Sequence, residues 1–252
     1  MKTKDALYNF CLRLADNNLV LGQRMAEWCS RGPILEEDLA LTNISLDLFG
    51  QAETLYEYAV LLKEANITAD DLAFLRNERQ FYNSLIVEQP NGDFAFTIVR
   101  QFLYSTFARL MCEALMNSND ESLSGYATKA LKEVKYHFRH SSEWIIRFGN
   151  GTEESKNRAQ FALNELWRFT DDLFVMNDID HELISVGISF SLDDIFGQWN
   201  FAVQEVLREA NLFTPERFNV IKGGSNGIHT EHLGHMLSEM QYLQRVHPGA
   251  KW

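Results

Sequence analysis

The sequence is poor in the residues that interrupt helices. Its 252 residues include 14 glycines and 4 prolines, which together make up about 7% of the chain against a usual share of roughly 12%. Sandwiches and barrels built from many short strands need a turn roughly every 8–12 residues, and turns rely on these two residue types. The composition therefore favours a small number of long helices.

Other shortages disfavour further classes of protein. Lys and Arg number 23 against 35 Asp and Glu, a formal net charge of −12, and an acidic chain repels the phosphates of nucleic acids. The sequence has no run of about 18 apolar residues, the length that a membrane-spanning helix requires. Its cysteines, Cys11, Cys29 and Cys112, are odd in number and far apart. The first residues show no signal-peptide core, so we expect reduced thiols in a cytoplasmic protein.

Apolar residues recur at helical spacing along most of the chain. The predicted helices comprise residues 6–29, 36–63, 70–76, 94–117, 122–148, 152–174, 193–211 and 228–245. The predicted non-helical stretches are an extended segment at 81–89 and loops at 177–192 and 222–227. Asp93 and Thr152 are the predicted N-caps of the helices that follow them.

The four longest helices form two pairs, each joined by a short turn, with a long crossover at about residues 65–92 between the pairs. One long crossover of this kind is a feature of ferritin-like bundles. No linker separates two halves of the chain. We therefore predict an all-α protein, a ferritin-like antiparallel four-helix bundle with additional C-terminal helices, in a single domain spanning 1–252.

Each long helix carries a polar residue in the middle of its apolar stripe, namely Asn18, Asp47, Arg100 and His137. The distances of these residues from the connecting turns place them at the same height in the bundle. Buried polar groups cost several kcal/mol unless they satisfy one another. We therefore predict a buried ion pair between Asp47 and Arg100, with hydrogen bonds completed by Asn18 and His137. Separately satisfied polar groups are the alternative.

Di-iron carboxylate bundles hold their metals at this height, with a Glu from each of two helices and Glu-x-x-His from the other two. Here Asp47 is followed by Gly50 where the histidine belongs, and His137 is preceded by Val134 where the glutamate belongs. A single carboxylate is too few for two hard cations. The sequence therefore predicts a degenerate site without metal. Its positions are Asn18, Asp47, Gly50, Arg100, Val134 and His137.

Two other segments carry groups that a ligand or a partner could use. His229, His232 and His235 recur at helical spacing, but they lack the order His-Glu-x-x-His of zinc proteases. The alternative for this segment is a helix start that caps a loop or meets a partner. Segment 76–81 mixes charges with aromatics and is either a solvated helix end or a contact surface. The possible partner contacts are Arg76, Arg79, His229, Glu231 and His232.

The glycine-rich segment 222–227 invites comparison with phosphate-binding loops. It lacks the P-loop order G-x-x-x-x-G-K-[ST] and follows no clear strand. A plain turn is the preferred interpretation.

Nine short segments, spread almost from end to end, together form a specific pattern. They are residues 20–24, 27–29, 47–52, 87–93, 132–133, 136–137, 166–170, 229–234 and 239–246. This pattern resembles the C subunits of bacterial phenylacetyl-CoA epoxidases, which belong to a family of multicomponent monooxygenases that epoxidise an aromatic ring in phenylacetate degradation.

The resemblance implies a ferritin-like structural subunit that is not catalytic and that pairs with a related A subunit. The A subunit holds the di-iron centre and binds the acyl-CoA, and a reductase supplies electrons. In the A subunit's motif Lys-Glu-Glu-x-Phe-His, a ligand glutamate falls on Val134 of this chain, whereas the histidine matches His137. We therefore expect no cofactor and no catalytic residue in this chain.

Two other functions are kept as alternatives. One is an active di-metal oxygenase or oxidase with non-standard ligands, such as the cluster of His229, His232 and His235. The other is a stand-alone bundle that binds an acyl-CoA or an aromatic ligand. Neither nucleic acid nor membrane is expected as a partner.

Overall fold

A computed structural model describes residues 3–63, 66–216 and 219–250. Within these ranges the protein is all-α, with eleven α-helices, three short 3-10 turns and no strand. The helices are α1 (Thr3–Ala26), α2 (Leu35–Lys63), α3 (Ala69–Phe74), α4 (Leu85–Glu88), α5 (Phe94–Leu115), α6 (Glu121–Gly149), α7 (Glu153–Trp167), α8 (Asp178–Ser185), α9 (Leu192–Glu209), α10 (Glu231–Met240) and α11 (Tyr242–Val246).

The four long helices form the predicted ferritin-like bundle. α1 packs along α2 and α5 along α6, and contacts between α2 and α6 join the two pairs. Since short turns connect the members of each pair, they run antiparallel, and a long crossover that contains α3 and α4 connects the pairs. One continuous apolar core runs through the bundle and extends to α7, α8 and α9, which pack on its outside. The predicted fold class is confirmed.

Local sequence signals explain where these helices begin and how closely they pack. The Asp93 side chain accepts a hydrogen bond from the Phe96 N–H at 2.8 Å, and Thr152 caps α7 in the same way, as predicted. Gly22 lets α1 and α2 approach each other, because a Cβ there would lie 2.9 Å from the ring of Phe49.

Four sequence predictions need correction. The segment 81–89, predicted to be extended, contains the short helix α4 (Leu85–Glu88), which follows the extended backbone of Ser84. The helix predicted over 152–174 ends at Trp167 and continues as a 3-10 turn. The loop predicted over 177–192 contains α8, because Asn177 and Asp180 form a reciprocal capping box at its start. The last predicted helix begins three residues later than expected and is interrupted at Gln241.

None of the helices in the described ranges is both long enough and apolar enough to cross a bilayer.

Candidate functional site

Five side chains at the centre of the bundle join all four long helices through hydrogen bonds. On α1, the Asn18 amide donates to the Tyr126 hydroxyl of α6 at 3.0 Å and accepts from the Tyr104 hydroxyl of α5 at 3.5 Å. The Tyr126 hydroxyl donates to the Gln51 carbonyl of α2 at 3.5 Å. The Gln51 amide donates to Glu133 of α6 at 2.8 Å. We call these five residues the central layer.

The central layer is held by hydroxyls and amides that stay uncharged, with Glu133 at its edge. Asn18, Gln51, Tyr104 and Tyr126 are all buried. Burial raises the pKa of the Tyr104 and Tyr126 hydroxyls, so both remain protonated donors at neutral pH. Side-chain hydrogen bonds therefore connect the four helices, and of the four residues of the predicted polar layer only Asn18 takes part in them.

The predicted ion pair between Asp47 and Arg100 is wrong. Asp47 Oδ2 lies 3.0 Å from His137 Nε2, while Arg100 donates to the Gln89 carbonyl at 2.5 Å and to Asn91 Oδ1 at 2.6 Å. Helical rise compares positions along the bundle axis only, and it does not fix the direction that a side chain takes. Arg100 faces the crossover, where carbonyl and amide oxygens replace the expected carboxylate.

The guanidinium of Arg100 is fully buried beside a second arginine. Burial and the positive charge of Arg24 lower the pKa of Arg100 to about 9. The group is still protonated at pH 7, and two oxygens of the crossover accept its hydrogen bonds. We conclude that Arg100 anchors the crossover to α5 and does not bridge the bundle centre.

The other positions of the predicted degenerate site are divided between the inside and the outside of the bundle. Val134 and His137 are buried on α6, whereas Gly50 lies on the outer side of α2 with no atom within 4 Å of where its Cβ would stand. Glycine and valine offer no metal ligand, and Asn18 is already bonded to two tyrosines. The residues present therefore do not fit a di-iron centre.

No group of three or more His, Cys, Asp or Glu side chains in the described ranges has the arrangement needed to hold a metal ion. In the C-terminal cluster, the His229 side chain is fully buried and bound to Glu88 at 2.8 Å, while His235 is exposed and His232 half-buried. The three imidazoles therefore do not share one face.

Two of the predicted partner contacts are buried inside the protein, so these predictions are wrong. Arg76 forms an ion pair with Asp16 and a hydrogen bond to the Tyr56 hydroxyl at 3.0 Å. His229 lies between Glu88 and the Phe81 carbonyl. Both side chains point inward because each partners a carboxylate that is fully buried. The remaining contacts stay predictions, and of these Arg79 and Glu231 are exposed and His232 is half-buried.

The glycine-rich segment 222–227 forms a 3-10 turn whose amides bind the chain's own carboxylate. The Gly223 and Gly224 N–H groups donate to Asp172 Oδ1 at 2.8 and 3.3 Å, and the Leu85 N–H donates to Oδ2 at 2.8 Å. Burial raises the pKa of Asp172 even though these three donors act to lower it. The preferred interpretation of this segment as a turn is confirmed.

Three buried carboxylates, those of Asp16, Glu88 and Asp172, organise much of the structure but were missed from the sequence. Of the three, Asp16 alone has a sequence context that indicates a buried polar group, since it precedes two asparagines inside a largely apolar stretch of α1. The other two bind segments that are far away in sequence, so helical periodicity gives no sign of them.

Replacing Asp47 with asparagine is expected to lower the free energy of unfolding by less than about 1 kcal/mol. Asp47 is 34% exposed, so solvent screens its charge, and the amide oxygen can still accept a hydrogen bond from His137. Urea unfolding measures the difference. A loss of about 3 kcal/mol or more would instead indicate a deeply buried ion pair.

Comparison with known proteins agrees with the resemblance found in the sequence. The profile of a family described as phenylacetic acid catabolic protein matches residues 1–252. The C subunit of the 1,2-phenylacetyl-CoA epoxidase of Escherichia coli (strain K12) is 48% identical over 243 residues, which cover 96% of this chain and 98% of that protein. The chain therefore belongs to the phenylacetic acid catabolic protein family.

Proposed function

We propose that this chain is the C subunit of a phenylacetyl-CoA epoxidase and that it supports the catalytic subunit without performing the reaction itself. The assignment as a C subunit rests on the 48% sequence identity to the Escherichia coli C subunit, which extends over nearly the whole length of both proteins. The lack of a catalytic role is supported by the residues at the predicted metal positions. Gly50 and Val134 supply no ligand, and Asn18 is occupied by hydrogen bonds.

The proposed physical role is to supply a rigid helical body as a single domain. The central layer connects α1, α2, α5 and α6, and Arg100 fixes the crossover to α5. Buried hydrogen-bonded networks of this kind hold helices in one arrangement. In the proposed assembly the partner A subunit holds the di-iron centre, and a reductase delivers electrons to it.

Co-expression with the cognate A subunit tests this proposal. We expect the two chains to purify together, and we expect turnover of phenylacetyl-CoA with the reductase only when the A subunit is present. His137→Gln in this chain should leave the rate of turnover unchanged, because the imidazole binds Asp47 and is not proposed as a metal ligand. Turnover by this chain alone, or failure of the two chains to associate, would overturn the proposal.

A further inference from the structure

The dipeptide Asn-Gly occurs three times in the chain, at residues 91–92, 150–151 and 226–227. Glycine has no Cβ to shield its backbone nitrogen, so in this dipeptide the nitrogen can reach the carboxamide carbon of the asparagine side chain. Attack at that carbon closes a cyclic imide and expels the side-chain amide as ammonia. In a folded protein the reaction also requires that the asparagine side chain is free to turn towards the glycine.

The side chain of Asn91 is held at both of its polar ends. Its Nδ2 donates to the Arg24 carbonyl and to Glu27, both at 2.8 Å. Its Oδ1 accepts a hydrogen bond from Arg100 at 2.6 Å. Ring closure at Asn91 would have to break these contacts, and hydrogen bonds to charged groups are the stronger ones in proteins.

Asn150, at the end of α6, is held in a similar way. Its Nδ2 donates to the Ile146 carbonyl at 3.1 Å and to the Glu209 carbonyl of α9 at 2.9 Å. Its Oδ1 accepts a hydrogen bond from the Asn211 amide at 2.6 Å. The carboxamide is therefore fixed between two helices, although the residue lies at the surface.

Asn226 has none of these restraints. It is exposed, and its side chain makes no hydrogen bond within the part of the chain that the structure describes. It ends the 3-10 turn Gly224–Asn226, and the Gly227 N–H donates to the Gly224 carbonyl at 2.9 Å. Hydrogen bonds in such short turns have poorer geometry than those of an α-helix, and an exposed turn opens locally at low cost. Of the three asparagines, Asn226 alone can turn towards its glycine without losing side-chain bonds.

We propose that Asn226 is a site of spontaneous deamidation in the folded protein, with water as the co-reactant. The Gly227 nitrogen bonds to Cγ of Asn226 and the bond from Cγ to Nδ2 breaks. The proton of the Gly227 nitrogen passes through solvent to the leaving amide, which departs as ammonia. Water then opens the imide at one of its two carbonyls, which leaves aspartate or isoaspartate. The reaction needs neither an oxidant nor a reductant, and the proposal does not depend on the proposed function.

The isoaspartate product is expected to disturb the contact between this turn and the rest of the protein. Two amides of segment 222–227 bind the buried carboxylate of Asp172. Gly227 packs so closely against the crossover that a Cβ there would lie 2.5 Å from the Arg79 carbonyl oxygen. Isoaspartate adds a carbon to the main chain, and a close-packed contact takes in an extra atom only by shifting. We therefore expect the modified protein to unfold at a lower Tm.

Peptide mapping by mass spectrometry, after incubation of the full-length protein in mildly alkaline buffer, measures the loss of amide at each site. Asn91 and Asn150 serve as internal controls, because each is also followed by glycine. We expect Asn226 to react about 10-fold faster or more than either control, because ring closure at the controls has to break several hydrogen bonds. A rate at Asn226 that does not exceed the rates at the controls would overturn the proposal.

Two further measurements separate the effect of the fold from that of the local sequence. In urea the three sites should react at similar rates, and an equally large preference for Asn226 there would overturn the structural argument. Asn226→Gln keeps a carboxamide but has to close a larger ring. This variant should therefore keep its Tm during incubation, while the wild type develops a fraction with a lower Tm. If both lost Tm at the same rate, modification of Asn226 would not be the cause.

Discussion

Arg76→Met is expected to lower the free energy of unfolding by about 3–5 kcal/mol, because it leaves a buried carboxylate without its cation. Asp16 is 0% exposed and receives both terminal nitrogens of Arg76. It also accepts the Tyr56 hydroxyl at 2.5 Å and the Tyr82 N–H at 2.8 Å. These contacts join α1 and α2 to the crossover, so their loss is expected to destabilise the whole bundle.

The chain contains a matched control for this substitution. Arg79 lies three residues further on and is exposed, so Arg79→Met should change the free energy of unfolding by less than about 0.5 kcal/mol. Adding Asp16→Asn to Arg76→Met removes the uncompensated charge and should recover part of the loss. Urea unfolding monitored by circular dichroism measures all three variants. An Arg76→Met variant as stable as Arg79→Met would show that the ion pair between Arg76 and Asp16 does not stabilise the protein.

Glu88→Leu is expected to have an effect of similar size, about 3–5 kcal/mol. The fully buried carboxylate accepts hydrogen bonds from four groups: the Thr230 N–H at 2.7 Å, the Thr230 hydroxyl at 2.8 Å, the Asn83 amide at 2.9 Å and His229 Nδ1 at 2.8 Å. Leucine fills a similar volume but accepts none of them. Because these bonds fasten the segment before α10 to the crossover, we expect this segment to be released first.

The same site makes stability depend on pH through His229. Burial acts to lower the pKa of the imidazole, but the hydrogen bond and charge of Glu88 outweigh burial and raise it above 6.5. The folded protein therefore binds the proton more tightly than the unfolded chain does. The resulting stabilisation is fully present below about pH 6.5 and is lost as the pH rises through the raised pKa.

Urea unfolding between pH 6 and pH 9 measures this contribution. The difference in stability between wild type and His229→Gln should be largest near pH 6 and should shrink towards pH 9. Glutamine keeps hydrogen-bonding capacity but does not titrate, so it isolates the effect of the charge. If the free energies of unfolding of the two proteins changed with pH in parallel, Glu88 would not raise the pKa of His229.

The sequence was sufficient to predict the bundle because its helices are long and strongly periodic. α2, α5 and α6 begin within one residue of the predicted positions, and Asp93 caps α5 as expected. Asn18 is buried and hydrogen-bonded, as expected of a polar residue inside an apolar stripe, but its partners are Tyr126 and Tyr104 and not the predicted pair. These features depend on local spacing, which a single sequence contains.

The partners of the polar groups could not be predicted in the same way. The contact between Asp16 and Arg76 spans 60 residues, and that between Glu88 and His229 spans 141. Both depend on where the crossover and the C-terminal segment lie, which no periodic pattern fixes. Arg100 shows the same limit, since oxygens of the crossover take the place of its predicted partner Asp47. The capping box of α8 was a local signal that sequence analysis overlooked.

Side-chain hydrogen bonds among Asn18, Gln51, Tyr104, Tyr126 and Glu133 connect the four long helices, and we claim that they do so without a bound metal. The most direct test measures iron in this chain after expression with the A subunit in iron-rich medium and separation of the two proteins. We expect the iron to remain with the A subunit and this chain to hold far less than one iron. About two irons bound to this chain would contradict the claim.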